Sequence, residues 1–486
     1  MLMRTSQQTL TEQLVARFSE RIRSRLLPAG SRLPSVRECA RQQEVSPHTV
    51  VAAYDQLVAA GLVDARKQKG FYVRDVHVLR QIEPDPDVNS AKFAIKNIAN
   101  PALHGRPRID ATALIRGMFA RNNSGVTSSQ LQPGMGVLPP EWMESDFLGP
   151  AVRKVSQGRN LLEASLRYGE PLGDASLREA LSRKLRDYTL DVQSNRIITT
   201  LGATQALDIV SRTLLKAGDY VMVEEPGWAV EFARLDALGM RILPVPRQAD
   251  GPDLAVMARY CEEHKPKLYV SVSVLHNPTG ACLSPSSAHR ILQLANLHDF
   301  HIVEDDTYCH IAAPHATRMS ALDGLQRTIY VSGFAKILAP NWRIGFMATP
   351  EHLTERLLDT KLLTSLTTPA LLEKALAHCI NEGHLRKHSE RVRARLDAAR
   401  ARAVRLALQS GCSFAAEPAG LFGWVETGID TEPLAQRMLD DGILLAPGTL
   451  FNAARQPSTL MRINFATTQE AGFWKKFAQS RESMQS

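Results

Sequence analysis

The sequence predicts a multidomain chain in which a small winged helix-turn-helix domain precedes a large α/β domain with a mostly parallel sheet. Its 486 residues exceed what one hydrophobic core usually supports, so we expect at least two domains. The net charge of +8 is uneven, because residues 1–74 hold twelve Lys and Arg against six Asp and Glu. From about residue 195, short β-type runs alternate with helical stretches, the pattern of parallel strands joined by helices.

The composition bears on three questions: nucleic-acid binding, membrane insertion and cysteine chemistry. A small basic segment on a nearly neutral body suggests a nucleic-acid-binding module, although a solvated basic surface would carry the same charge. The chain lacks any uncharged apolar run of about 18 residues and any signal-peptide core, so we expect no membrane segment. The six cysteines are scattered without a C-x-x-C pair, which argues against zinc sites and disulfides and fits a cytoplasmic protein without a metal centre.

The first 74 residues carry the signals of three helices and a hairpin. Apolar residues recur at helical spacing from Leu10 to Leu26, and a second, short helix fits residues 36–43. Ser46 suits the N-cap of a third helix, with Pro47 at its first position. The face of this helix that we expect to be buried contains Val50, Tyr54, Leu57 and Val58. Two short strands around a basic turn with Gly70 at its tip complete a winged helix-turn-helix.

The stretch "AGSRLPSVRECARQQEVSPHTVVAAYDQLVAAGLVDARKQKGFYV" resembles the GntR-type DNA-binding domain over its whole length. One position departs from the family pattern, because Pro47 stands where an arginine usually follows the capping serine. The resemblance implies that the third helix enters the major groove of double-stranded operator DNA. The residues that it implies as DNA contacts are Arg37, Ser46, His48, Thr49, Lys67, Lys69 and Gly70.

Residues 75–127 are rich in turn-forming residues, and we interpret them as a linker between the domain at 1–74 and a second domain at 128–486. In the second domain five β-type runs are each followed by a polar motif: LGATQAL, EEPGW, HNPTG, EDDTY and GFAK. Ligands bind at the carboxyl ends of parallel strands, so these motifs predict one site. Lys336 of GFAK is either a surface lysine or an amine kept nearly dry to act as a nucleophile.

These motifs, in this order, resemble the fold-type I, aspartate-aminotransferase-like enzymes that bind pyridoxal 5′-phosphate (PLP), over about residues 130–470. The resemblance implies that Lys336 is the catalytic lysine and holds PLP as an internal aldimine. It also implies that Arg343 binds the cofactor phosphate together with a helix N-terminus. The residues at that helix N-terminus are Gly202, Ala203 and Thr204.

The same resemblance implies roles around the cofactor ring. Asp305 pairs with the protonated pyridine nitrogen, and Asn277 and Tyr308 hydrogen-bond the phenolic oxygen. Trp228 stacks on the ring face. Because single aromatic or charged residues of this kind are often ordinary core or ion-pair members, the whole set carries the interpretation.

Two further residues connect the site to a ligand and to a second subunit. Tyr168 matches a tyrosine that reaches the phosphate of the neighbouring subunit, which implies a homodimer, and Arg462 matches the arginine that binds the substrate α-carboxylate. One departure concerns the hydroxyls that precede the lysine in this family, because Gly333 and Ala335 stand at their positions. Ser332 is one place too early to substitute, so we expect a phosphate site with fewer hydroxyl donors.

A GntR-type head joined to an aminotransferase-like body resembles the MocR subfamily of bacterial transcription regulators. This resemblance implies a PLP-dependent DNA-binding regulator that senses an amino acid or amine. Two alternatives stay open: a working aminotransferase with an accessory DNA-binding head, and a body that serves only for dimerisation without PLP.

Overall fold

The computed structural model describes residues 9–66, 69–74 and 132–485. The chain divides into two compact units, Met1–Ser129 and Gln130–Ser486, here termed the head and the body, and each is described by itself. The predicted linker at 75–127 lies outside the described residues, and the predicted domain boundaries stay predictions.

The head contains three helices followed by a hairpin. The helices are α1 (Leu10–Arg23), α2 (Val36–Gln43) and α3 (Pro47–Ala59). Strands β1 (Val63–Arg66) and β2 (Gly70–Val73) pair antiparallel, with Val63 opposite Val73. The predicted order of elements is confirmed.

A helix cap and a cluster of three aromatic rings explain this arrangement. The Ser46 hydroxyl caps α3 by accepting a hydrogen bond of 3.1 Å from the Thr49 amide. Tyr54 packs edge-on against Phe18 and Phe71, with ring centroids 5.6 and 4.9 Å apart. These contacts connect α1, α3 and the hairpin into one core.

Two details of the sequence prediction were wrong. Val58 is 36% exposed, because it follows the buried Leu57 and so lies about 100° further round the helix. The first helix ends at Arg23, with Ser24 as its C-cap, so Leu26 is not helical. Leu26 is nevertheless buried, in the turn that follows the helix.

The body is built on an eight-stranded sheet whose spatial order is β3-β10-β9-β8-β7-β4-β5-β6. The strands are β3 (Ile197–Thr200), β4 (Tyr220–Glu225), β5 (Arg241–Gln248), β6 (Gly251–Pro252), β7 (Leu268–Ser271), β8 (His301–Asp305), β9 (Thr328–Gly333) and β10 (Gly345–Ala348). Strands β9, β8, β7, β4 and β5 are parallel. Strand β10 runs antiparallel to both β3 and β9, so β3 has the direction of the parallel set.

The described part of the body also contains helices, as expected for a parallel sheet with buried faces. They are α4 (Pro140–Met143), α5 (Leu148–Val155), α6 (Asn160–Leu166), α7 (Ala175–Leu185), α8 (Ala203–Leu214), α9 (Ala229–Ala237), α10 (Leu254–His264), α11 (Pro285–His298), α12 (Met319–Asp323), α13 (Thr354–Ser365), α14 (Ala370–Asn381), α15 (His384–Gln409), α16 (Thr431–Asp440) and α17 (Ala471–Gln485). Within the described ranges, no helix has both the length and the apolar character needed to cross a membrane.

A smaller antiparallel sheet, with the order β11-β12-β14-β13, lies in the C-terminal part of the body. Its strands are β11 (Ser413–Phe414), β12 (Phe422–Glu426), β13 (Ala446–Pro447) and β14 (Leu460–Asn464). Strand β14 pairs with both β12 and β13, which places Arg462 at an interior position of this sheet.

Candidate functional site

Apart from Arg343 and Tyr168, the predicted cofactor residues lie at or after the carboxyl ends of five strands that share one direction, and so at one edge of the large sheet. Each residue comes directly from a strand end or from the loop or helix start that follows it. In strand order β3, β4, β7, β8 and β9, they are Gly202 with Ala203 and Thr204, Trp228, Asn277, Asp305 with Tyr308, and Lys336.

Lys336 is a half-buried amine in a cationic environment. Its Nζ donates a 2.7 Å hydrogen bond to the carbonyl of Gly136. Burial lowers the pKa of Lys336, the nearby charges of Arg462 and Arg343 add to this effect and Asp305 opposes it, and together they bring the pKa to about 8. About a tenth of this amine is therefore neutral, and so nucleophilic, at pH 7.

Asp305, the last residue of β8, is a buried carboxylate held by its own loop. Its Oδ1 accepts hydrogen bonds from the amide and the hydroxyl of Thr307. Burial raises the pKa of Asp305 to about 6, against the lowering effect of these hydrogen bonds. Asp305 is therefore mostly ionised at pH 7, as an acidic partner for a protonated nitrogen must be.

Arg462 is a buried cation without a carboxylate partner among the described residues. Its Nη1 donates to Asn277 Oδ1 at 2.8 Å and its Nη2 to the Gly134 carbonyl at 2.6 Å, while its Nε has no partner. Its guanidinium lies 4.5 and 5.0 Å from the ring centroids of Phe422 and Phe451. Burial lowers the pKa of Arg462 to about 10, so the group stays charged at neutral pH. An unpaired buried cation favours an anionic ligand.

Tyr308 and Asn277 lie beside this arginine. Burial raises the pKa of Tyr308 well above its usual range, and a hydrogen bond with Asn277 partly offsets the effect. The Tyr308 ring meets Phe422 edge-on at 5.5 Å. Asn277 thus connects the phenol of Tyr308 with the guanidinium of Arg462.

Two glycines, Gly202 and Gly333, lie close to the N-terminus of α8. Gly202, with φ of +84°, is the N-cap, and a Cβ there would lie 2.6 Å from Arg343 Nη2. A Cβ on Gly333 would lie 3.5 Å from the Ala203 amide, so a side chain at this position would reach the helix N-terminus. The Ser332 hydroxyl instead donates to the Asp306 carbonyl at 2.9 Å, which confirms that it does not substitute for the missing hydroxyls.

Two predicted residues differ in their surroundings. Trp228 is half-buried at the start of α9 and packs against the core beneath the sheet. Tyr168 is 84% exposed, so within its own chain it is not brought into the site.

In the head, some of the predicted DNA contacts are exposed side chains, and others take part in the cap of α3 or in the hairpin. Arg37, His48 and Lys69 are exposed, on α2, α3 and the turn of the hairpin. The hydroxyls of Ser46 and Thr49 are 2.8 Å apart and hydrogen-bonded, so both serve the α3 cap. Gly70, with φ of +102°, begins β2, and Lys67 lies outside the described residues.

Sequence reasoning missed four residues with contacts at these sites. In the head, a Cβ on Gly70 would lie 3.2 Å from Arg32 Nε, and the Arg66 guanidinium lies 4.4 Å from the Tyr72 ring centroid. In the body, the missed residues are Gly134 and Gly136, whose carbonyls contact Arg462 and Lys336. The closely spaced glycines of "PGMGVL" were the one available signal for these two contacts.

Comparisons with known proteins agree with both units. The family described as Aminotransferase class I and II matches residues 143–473, and the description Bacterial regulatory proteins, gntR family, matches residues 10–73. The chain is 28% identical over 466 residues to the HTH-type transcriptional regulator YdfD of Bacillus subtilis, covering 93% of this chain and 92% of the relative.

Two further comparisons are with a regulatory protein and with the crystal structure of an aminotransferase. The chain is 29% identical over 385 residues to the probable rhizopine catabolism regulatory protein MocR of Rhizobium meliloti, covering 78% of this chain and 73% of the relative. A crystal structure of the Pyrococcus horikoshii kynurenine aminotransferase, in complex with PMP, has a TM-score of 0.69 and 25% identity, covering 76% of this chain and 95% of that chain.

The chain therefore belongs to the aminotransferase class I and II family, and its cofactor is PLP. With a GntR-type DNA-binding head ahead of this body, it has the MocR-type architecture of transcription regulators. The site fits the cofactor, because Gly202 leaves the cradle at the N-terminus of α8 free of a Cβ beside the cationic Arg343. Lys336 supplies the amine for the cofactor aldehyde, and the ionised Asp305 supplies the carboxylate for the pyridine nitrogen.

Proposed function

We propose that this protein is a cytoplasmic, PLP-dependent DNA-binding transcriptional regulator whose body senses an amino acid or amine. The observation that carries the proposal is a complete pair of ligand-binding cations, Lys336 and Arg462, in a chain that also has a winged helix-turn-helix. A ligand changes the DNA affinity only if it binds two arrangements of the protein differently.

The residues of the site have separate roles in this proposal. When bound, PLP supplies an aldehyde that captures amines and a ring that withdraws electrons. Lys336 provides the neutral amine that holds the cofactor, and the ionised Asp305 keeps a proton at the pyridine nitrogen. Arg343 and the N-terminus of α8 bind the phosphate, while Asn277 and Tyr308 bind the phenolic oxygen.

The charges favour an amino acid over a simple amine as the ligand. Arg462 is buried without a carboxylate partner in the described parts of the chain, and two aromatic rings limit its access to water. A ligand carboxylate would supply the missing negative charge and accept charge-assisted hydrogen bonds. An amine without a carboxylate would leave this cation unpaired.

An exposed apolar surface supports a homodimer. Tyr168 and its neighbour Gly169 lie next to the chain at 367–368, because a Cβ on Gly169 would be 3.1 Å from the Thr368 carbonyl. Exposed apolar side chains that gather into a patch commonly mark protein interfaces. The exposed apolar side chains on α6, on α13 and beside Tyr168 are Leu161, Leu162, Leu166, Leu363 and Leu366.

DNA binding tests the proposal directly. We expect the PLP-loaded chain to bind DNA from its own promoter region more tightly than a scrambled duplex of the same length, measured by fluorescence anisotropy at a stated salt concentration. Equal affinity for the two duplexes, with and without PLP, would refute the regulator.

A second candidate function is aminotransferase activity. The depressed pKa of Lys336 and the free charge of Arg462 favour it, because proton transfer and substrate orientation need these two groups. Conversion of bound PLP to pyridoxamine phosphate at catalytic rates, across a panel of amino acids, would favour the enzyme. If Lys336→Ala leaves the visible absorbance of the purified protein unchanged, the body does not hold PLP through this lysine.

A further inference from the structure

The first described residues of the body, Gln132–Leu138, form a segment that crosses the ligand site and is here termed the strap. Six consecutive carbonyls of the strap, from Gln132 to Val137, each accept a hydrogen bond. The side chains of Met135 and Leu138 are buried, which anchors the strap to the body at two points.

The partners of these carbonyls alternate between two sides. Those of Pro133, Met135 and Val137 accept from Asn464, at 2.9 Å from its amide and at 2.9 and 2.6 Å from its Nδ2. Those of Gly134 and Gly136 accept from Arg462 Nη2 at 2.6 Å and from Lys336 Nζ at 2.7 Å. Alternate carbonyls of the strap are therefore held by Asn464, and the two between them accept from Arg462 and Lys336 of the site.

Close approach requires a glycine at 134 and leaves little room for a side chain at 136. A Cβ on Gly134 would lie 2.4 Å from the carbonyl carbon of Leu445, and one on Gly136 would lie 3.2 Å from the Phe422 ring. At Gly134 the strap thus approaches the backbone just before β13 closely, and at Gly136 it approaches the Phe422 ring. This approach goes with hydrogen bonds from Arg462 and Lys336 to its carbonyls.

We propose that a ligand carboxylate displaces the Gly134 carbonyl from Arg462 and so releases the strap. The inference rests on the proposed function, and it assigns the ligand signal to this segment. A carboxylate competes well for this position, because both partners of its hydrogen bond to a guanidinium are charged and it can accept two such bonds, whereas the Gly134 carbonyl is neutral and accepts one. In the sequence, the strap is the described segment of the body that lies nearest to the head.

Asn464 sets how readily the strap opens. Its side chain donates two of the hydrogen bonds that hold the strap closed, and each such bond corresponds to a factor of about five in an equilibrium constant. A ligand that needs the open strap binds with an apparent affinity reduced by the open fraction. Loosening the strap should therefore tighten ligand binding.

Hydrogen exchange of the full chain tests the release without any measure of turnover. The probes are two stable conjugates, phosphopyridoxyl-L-alanine and phosphopyridoxyl-ethylamine, which differ only in the carboxylate. Each is loaded to saturation, as judged by its absorbance on the protein after gel filtration. We expect the strap amides to exchange at least about fivefold faster with the alanine conjugate than with the ethylamine conjugate. Equal exchange, or slower exchange with the alanine conjugate, would overturn the proposal.

A substitution provides a second test. Asn464→Leu removes both side-chain donors without adding a charge beside Arg462, and we expect it to tighten binding of the alanine conjugate at least about fivefold. Thr459→Val, which removes a hydroxyl from the segment before β14 that bonds Glu426, is the matched control and should leave the affinity unchanged. Unchanged or weaker binding in a folded Asn464→Leu protein would count against the strap, and if that variant does not fold, the exchange experiment on the natural chain still decides.

The two proposals fail differently. Faster strap exchange in a chain that binds no specific DNA would refute the regulator and leave the strap intact. Ligand-dependent DNA binding with unchanged strap exchange would refute the strap and leave the regulator intact.

Discussion

Lys336 is the residue on which the account depends, and Lys336→Met is the most informative single change. Methionine keeps an unbranched, largely apolar side chain but removes the amine. In the PLP-free protein we expect this change to stabilise the body, and in the presence of PLP we expect it to abolish covalent capture of the cofactor. The two effects have one cause, because the site holds an amine away from water.

The magnitude follows from the pKa of the amine. Burial, together with the charges of Arg462 and Arg343, lowers the pKa of Lys336 from 10.5 to about 8, and at about 1.4 kcal/mol per pKa unit this costs the folded state roughly 3 kcal/mol below pH 8. The side chain is only half-buried, and the substitution also removes the hydrogen bond to Gly136. The expected increase in the free energy of unfolding on Lys336→Met is therefore about 2 kcal/mol at pH 7.

The sign of the pH dependence is fixed by the direction of this shift. Because the unfolded lysine keeps its proton up to about pH 10.5, the natural protein becomes more stable as the pH rises from about 8. The advantage of Lys336→Met is therefore complete below pH 8 and disappears as the pH approaches 10.5. A constant advantage across this range would refute burial of the amine as its cause.

Tryptophan fluorescence during urea denaturation measures this stability in the body, which contains every tryptophan of the chain. The five are Trp142, Trp228, Trp342, Trp424 and Trp474. The matched control is Lys361→Met, because burial also lowers the pKa of Lys361, to about 8, and its Nζ donates to the Pro171 carbonyl at 2.6 Å. Lys361→Met should increase the free energy of unfolding by a comparable amount and keep the visible absorbance of bound PLP. Loss of that absorbance in both variants, or in neither, would contradict the role given to Lys336.

Three more predictions concern the cofactor pocket and the head. Asp305→Asn should weaken PLP binding by about 10- to 100-fold at pH 7 and remove the loss of affinity that the natural protein shows below about pH 6, measured by PLP titration. Gly202→Ala should weaken PLP binding at least about tenfold, since its Cβ would lie 2.6 Å from Arg343 Nη2. Gly218→Ala is the control for backbone strain alone, because Gly218 also has a positive φ, of +94°, but no atom lies near its Cβ position; it should not weaken PLP binding. Lys69→Ala should weaken DNA binding uniformly across sequences and reduce the salt slope by about 1, which anisotropy at several salt concentrations measures.

Periodicity and strand-end motifs predicted most of the fold and the residues gathered at the sheet edge. Lys336, Asp305 and Asn277 each follow a short β-type run, and local sequence determines where such a run ends. The antiparallel insertion of β10 was not predictable from local pattern. Its pairing with β3 joins residues about 150 positions apart in the sequence.

The strap shows the same limit within the site. Its contacts with Lys336 and Arg462 join residues separated by 200 and 328 positions. Glycines indicate close approach but not the surface approached, so "PGMGVL" identified no partner. Val58 shows the limit at the scale of one helix, where a residue at the edge of an apolar stripe can face either core or solvent.

The central claim is that a ligand bound through Lys336 controls DNA binding by the head. It is tested most directly by measuring the affinity for promoter-region DNA with PLP present, with and without amino acids, in the natural chain and in Lys336→Met. The account predicts that at least one amino acid changes the affinity of the natural chain, whereas Lys336→Met binds the same DNA without responding. An equal response in both proteins would contradict the account.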